Sequence, residues 1–138
     1  MTSMPRVSSL RPQRGTTLLE LTIVIMVLLT LIGVSMYATG NIGKWRKGRE
    51  AGEQLRLVYA AQRSYLAENP TAAVSSLTND LLIPYLPNRA SAIPTVISLE
   101  DATLTIIVTV TPPVVDAGGG SVYDPSGDSQ DSLWDVGK

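Results

Sequence analysis

The sequence has no cysteine, no histidine and no phenylalanine. Without cysteine there is no disulfide and no thiolate chemistry. Without histidine there is no Ser-His-Asp triad, no imidazole base and no histidine-bound metal. Only a hydrolase working through carboxylates stays formally open, and no convergent polar cluster marks one. No enzymatic activity is expected. Aromatics are few, two Trp and five Tyr, so any soluble core must be built from Leu, Ile, Val and Ala. From Leu21 to Gly43 there is no charged side chain at all.

What is present divides by charge. Residues 1–68 carry nine basic and four acidic side chains, whereas residues 69–138 carry two and eight. The 138 residues suit at most one compact domain. The basic residues flank the apolar segment, which points to a membrane surface rather than nucleic acid. No nucleic-acid partner is expected.

As a helix, the 23 residues from Leu21 to Gly43 extend about 35 Å. That is enough to cross a hydrocarbon core of about 30 Å with some tilt. The run exceeds the short apolar region of an ordinary secretory signal. Positive charge does not orient it, because Arg6, Arg11 and Arg14 precede it and Lys44, Arg46, Lys47 and Arg49 follow it. Glu20 stands at its edge. An ionised carboxylate near a helix centre in a bilayer costs about 2.5–3.5 kcal/mol on insertion scales. A partner would offset that cost; snorkelling to the interface would also relieve it.

The leader MTSMPRVSSLRPQRG is polar and basic and holds two prolines. It ends in Gly15, followed by Thr16, Thr17, Leu18, Leu19 and Glu20, then unbroken apolar residues. This junction resembles the type IV prepilin signature. The family has an aromatic, usually phenylalanine, directly after the cut; here it is Thr16. The proline common within the family's mature helix is also absent, and Gly33, Gly40 and Gly43 occur instead. The resemblance implies a cytoplasmic leader, residues 1–15, cut by prepilin peptidase between Gly15 and Thr16. It implies N-methylation of Thr16, and pairing of Glu20 with the Thr16 amine of a neighbouring subunit. An amine on the same helix, four residues away, is the alternative partner.

Helical spacing continues beyond the span. Ala51, Leu55, Val58, Tyr59, Gln62, Tyr65 and Leu66 follow the i, i+3, i+4, i+7 pattern. Asn69-Pro70 is a stop. One helix from about Thr17 to Glu68 is therefore expected, in two parts: a transmembrane or filament-core section over 16–43 and an amphipathic extension over 44–69. Residues 40–52, GNIGKWRKGREAG, hold four glycines. They read as a hinge, or as a membrane-exit collar with Trp45 at the headgroups. Gly48 and Gly52 fit G-x-x-x-G but sit among charges, outside the apolar run.

Residues 70–138 are too few for a convincing core of their own and need the helix as a wall. Ser75 or Ser76 is expected to cap a short helix through Leu77, Leu81, Leu82 and Ile83, ended by Pro84. Tyr85-Leu86-Pro87 reads as an apolar anchor. Val96–Leu99 and Thr103–Thr111 read as strands joined by a turn at Glu100-Asp101-Ala102, with Leu104, Ile106, Val108 and Val110 facing inward. The fold class is α+β: a long N-terminal helix packed on a small antiparallel sheet, similar in outline to the pilin fold. Its order and size resemble the small pseudopilins of type II secretion. In the tail, Asp124, Asp128 and Asp131, with Asp135 nearby, lie among Gly, Ser and Pro. Such oxygen donors suit calcium, and the major pseudopilins carry a calcium loop near the C terminus. A solvated loop pinned to the sheet by Trp134 is the other reading.

The resemblance implies a structural subunit of a type IV pilus-like filament in the bacterial inner membrane, its C-terminal domain in the periplasm. A type II secretion pseudopilin is expected, with a pilus subunit for adhesion, motility or DNA uptake as the alternative. Its implied partners are itself, other pilin-like subunits, prepilin peptidase, an inner-membrane assembly platform and the lipid bilayer. A single-pass membrane-anchored binding module is the competing class.

Overall fold

A computed structural model describes residues 14–137. Most of the expected leader, residues 1–15, lies outside the described residues. The chain divides after Gly40 into two bodies, taken here one at a time.

The first body is helical over its described residues and belongs to α1, Arg14–Glu68. Its side chains from Thr17 onward are exposed. By length and composition α1 is able to cross a membrane. Four aliphatic hydroxyls along this stretch are satisfied by the helix itself. Thr22 donates to the carbonyls of Leu18 (3.0 Å) and Leu19 (2.8 Å), Thr30 to Val27 (2.7 Å), Ser35 to Leu31 (2.8 Å) and Thr39 to Ser35 (2.8 Å). Such back-bonding removes the need for an outside partner in hydrocarbon.

The second body has the outer part of α1 as its wall. Ala51, Leu55, Val58, Ala61 and Gln62 are fully buried there, as the apolar spacing requires. Tyr59, Tyr65 and Leu66 are only partly covered. The helix ends at the expected stop: the backbone and side-chain amides of Asn69 both donate to the Tyr65 carbonyl, at 2.9 and 3.0 Å. Against this wall pack Leu77, Leu82, Leu86, Val96, Ile106, Val108, Val115 and Trp134.

The expected capped helix after Ser76 is not formed. Ser76 donates its hydroxyl back to the Ala73 carbonyl (2.7 Å) within a 3-10 turn, Val74–Ser76. The helical segment α2, Asn79–Leu82, starts later, after Thr78. Pro84 does not end the helical run; it sits inside a further 3-10 turn, Ile83–Tyr85. There its missing N–H costs nothing. The anchor residues do pack: Leu86 is buried, and Tyr85 meets Tyr65 edge-on at 5.8 Å and donates to Glu68.

The strands form two small antiparallel sheets. β1, Val96–Ile97, pairs with β2, Thr103–Leu104, in register Val96↔Leu104. Their turn runs through Asp101 in the left-handed region (φ 63°). The buried Ser98 hydroxyl accepts the amides of Glu100 (3.2 Å) and Ala102 (3.1 Å). The expected single strand over 103–111 changes partner at Thr105. Its second part, β3, Ile106–Ile107, pairs with β4, Val114–Val115. Over residues 108–111 no strand forms among the described residues. The buried Gln62 side chain instead donates to the carbonyls of Val108 (2.7 Å) and Val110 (3.0 Å). The inward alternation therefore stops early, and Val110 is 43% exposed.

Residues 41–52 are helical. Gly43 has open space around it, but a Cβ at Gly48 would lie 2.7 Å from Trp134 Nε1, and one at Gly52 would lie 2.5 Å from the Ser132 carbonyl oxygen. Gly48 and Gly52 are thus places where the tail presses on the helix. Gly52→Ala is expected to cost about 1–3 kcal/mol, since backbone must shift. Gly43→Ala is expected to be neutral or mildly stabilising. Near-UV circular dichroism melts of the full chain in detergent check both; equal melting points would refute the tail contact.

Candidate functional site

Two places carry chemistry beyond packing. The first is the N-terminal end of α1. Gly15 and Thr16 both lie within the helix. Glu20 is exposed one turn further on, and no described residue hydrogen-bonds or pairs with it. The hydroxyls of Thr22, Thr30, Ser35 and Thr39 are all absorbed by their own helix. Among the described residues, nothing answers the Glu20 carboxylate.

The second place is the C-terminal tail. It closes onto the helix as well as onto the sheet, since Tyr123, which the indole meets, donates its amide to the Val115 carbonyl of β4 at 2.9 Å. The Trp134 amide donates to the Gly48 carbonyl at 3.0 Å, and Arg56 Nε donates to the Val136 carbonyl at 2.9 Å. The indole is buried and meets Tyr123 edge-on, 5.1 Å between ring centres. The backbone reaches this path through left-handed residues at Ser132 and Trp134, both φ 65°. Such conformations cost free energy away from glycine and persist where surroundings enforce them. The glycine pair allows this approach. Its position on the same face as Ala51 and Leu55 was available from the sequence, but the segment that fills it was not.

The expected metal residues are organised as turns. Asp124 Oδ1 accepts the Ser126 amide (3.1 Å) and hydroxyl (2.7 Å). Asp128 Oδ1 accepts the Gln130 amide (3.1 Å), and Asp131 Oδ1 the Leu133 amide (2.8 Å). Among the described residues, no three of the acidic side chains are gathered into one group.

Asp135 is different. Both of its carboxylate oxygens are buried without a partner in hydrogen-bond geometry. It borders a cleft of about 250 Å³ shared with Asp124, Ser129 and Trp134. Desolvation raises its pKa above the ordinary carboxylate value, and the Asp131 and Asp124 carboxylates add to the rise. The backbone of Gly137 and Ser132 lies close enough to oppose this in part. Elsewhere, Lys47 Nζ pairs with Asp101 Oδ1 at 2.7 Å and donates to the Leu99 carbonyl at 3.3 Å, tying α1 to the β1–β2 turn.

No family model, curated protein or solved structure matches this chain.

A carboxylate with a raised folded-state pKa destabilises the fold when charged. The penalty is present above that pKa and absent below the unfolded-state value. Asp135→Asn is therefore expected to melt higher than the parent at about pH 7, the gap closing on acidification towards the usual carboxylate range. A gap that is constant with pH would count against a strained charge at Asp135.

Proposed function

We propose that this chain is a non-catalytic subunit of a type IV pilus-like filament. A pseudopilin of type II secretion is the form its small size and lack of cysteine favour, ahead of a pilus for adhesion, motility or DNA uptake. The observation that carries the reading is Glu20: an unanswered carboxylate, five residues past Gly15, on a helix whose neighbouring hydroxyls are self-satisfied. A cut after Gly15 creates an amine at Thr16, and stacking of subunits brings that amine to the Glu20 of a neighbour. The charge pair makes burial tolerable and sets the register between subunits. Apolar helices then form the filament core, and the small α+β bodies face outward. A membrane-anchored binding module has no use for an acid at this point.

Mass spectrometry of the protein from its native membrane is expected to give a chain starting at methylated Thr16. Glu20→Ala is expected to fractionate with membranes as before and to lose assembly. A protein that still starts at Met1, or normal filaments from Glu20→Ala, would overturn the reading.

Calcium binding in the tail is a second reading, favoured by the partnerless Asp135 carboxylate beside Asp124. A cation there would remove the cost of burying the charge. Melting of the full chain in detergent is expected to rise with millimolar calcium over chelator, and the rise is expected to vanish in Asp135→Asn. Identical melts with calcium and chelator would dismiss the ion.

A further inference from the structure

Arg49, Arg56 and Arg63 recur every seven residues on α1 and are all exposed. Seven residues are nearly two helical turns, so the three lie along one ridge about 21 Å long. Each guanidinium is held by a neutral group. Arg49 stacks over the Trp45 ring (5.1 Å), Arg63 over the Tyr59 ring (5.9 Å), and Arg56 is tied through Nε to the Val136 carbonyl (2.9 Å). Glu53 on the helix, and Asp131 in the groove between Arg49 and Arg56, are near but make no ion pair with them. Lys47 shows the contrast, since its charge is spent on Asp101. Among the described residues that is the one ion pair.

The acidic tail is prepared in the matching way. Asp124, Asp128 and Asp131 each fix Oδ1 on an amide or hydroxyl of their own turn. The hydrogen bonds leave Oδ2 unused, with Asp128 exposed and Asp124 half-buried. Side chains already oriented lose less conformational freedom on pairing.

We propose that the Arg49–Arg56–Arg63 ridge of one subunit docks on the acidic 124–128 turn of a second copy of this chain. This inference rests on the filament reading and names the contact made outside the membrane. A second copy is favoured by charge. The chain is net acidic with pI about 5.3, which disfavours nucleic acid. Residues 69–138 hold the acidic surplus that complements the ridge. Ridge and turn are different patches of one molecule, so the contact can repeat head-to-tail from copy to copy, as the filament reading requires. Such contacts propagate into open assemblies unless the rotation closes.

The test uses the processed chain, beginning at Thr16, in detergent micelles, with self-association followed by sedimentation at low and high salt. Arg49→Glu with Arg63→Glu is expected to weaken association about tenfold at low salt. Adding Asp124→Arg and Asp128→Arg to the same chain is expected to restore it, and high salt to erase the differences. Glu20→Ala, run alongside, reads the apolar helix contact alone. If Glu20→Ala abolishes association while the arginine variant associates normally, the ridge inference falls and the filament reading stands. If both associate normally, both fall. If the arginine variant keeps self-association but loses binding to phosphatidylglycerol vesicles, the ridge is a membrane contact and the inference falls.

Discussion

The second body depends on one helical stripe, Ala51-Leu55-Val58-Ala61-Gln62, serving as a wall for strands too short to enclose a core themselves. Each strand is two residues long. Sheets of two such strands are marginal in water. They persist because their inward residues, Val96, Ile106 and Val115, pack with the stripe in one cluster. Gln62 extends the wall into hydrogen bonding: it occupies the carbonyls of Val108 and Val110, which no neighbouring strand reaches. Buried carbonyls must find donors, and here one side chain serves two.

The tail completes the same wall from the other side. Gly48 and Gly52 remove side-chain bulk from the helix surface, so that Ser132 and Trp134 lie directly on it. Two left-handed residues shape that path. Their strain is offset by burial of Trp134, its edge-on contact with Tyr123 and the backbone bonds to Gly48 and Arg56. Closing the tail also buries the Asp135 carboxylate among other acids. The tail is therefore held by packing against an electrostatic cost.

Polar groups follow a simple division through the molecule. The Thr22, Thr30, Ser35 and Thr39 hydroxyls of the apolar segment bond to their own helix. The acidic turns bond to their own amides. Among the described residues, Glu20 has no partner, the ridge arginines have only neutral ones, and Asp135 and the Gln62 Oε1 are buried without one. In the filament reading proposed above, further copies of the chain supply the counter-charge for Glu20 and the ridge.

Local properties determined the long helix, its stop at Asn69, the apolar span and the buried face around Leu55 and Val58. Helical periodicity and proline sterics act within a few residues, so the sequence alone decides them. The Glu100–Ala102 turn was legible for the same reason. The tertiary structure decided the rest. It placed Pro84 inside a turn rather than at a helix end, switched strand partners at Thr105, and laid Trp134 between the helix at Gly48 and Tyr123 beside β4. Those outcomes depend on which distant surface offers space and unpaired backbone groups. A glycine pair in a charged stretch does not announce what will fill it, and a buried glutamine does not announce which carbonyls it will meet.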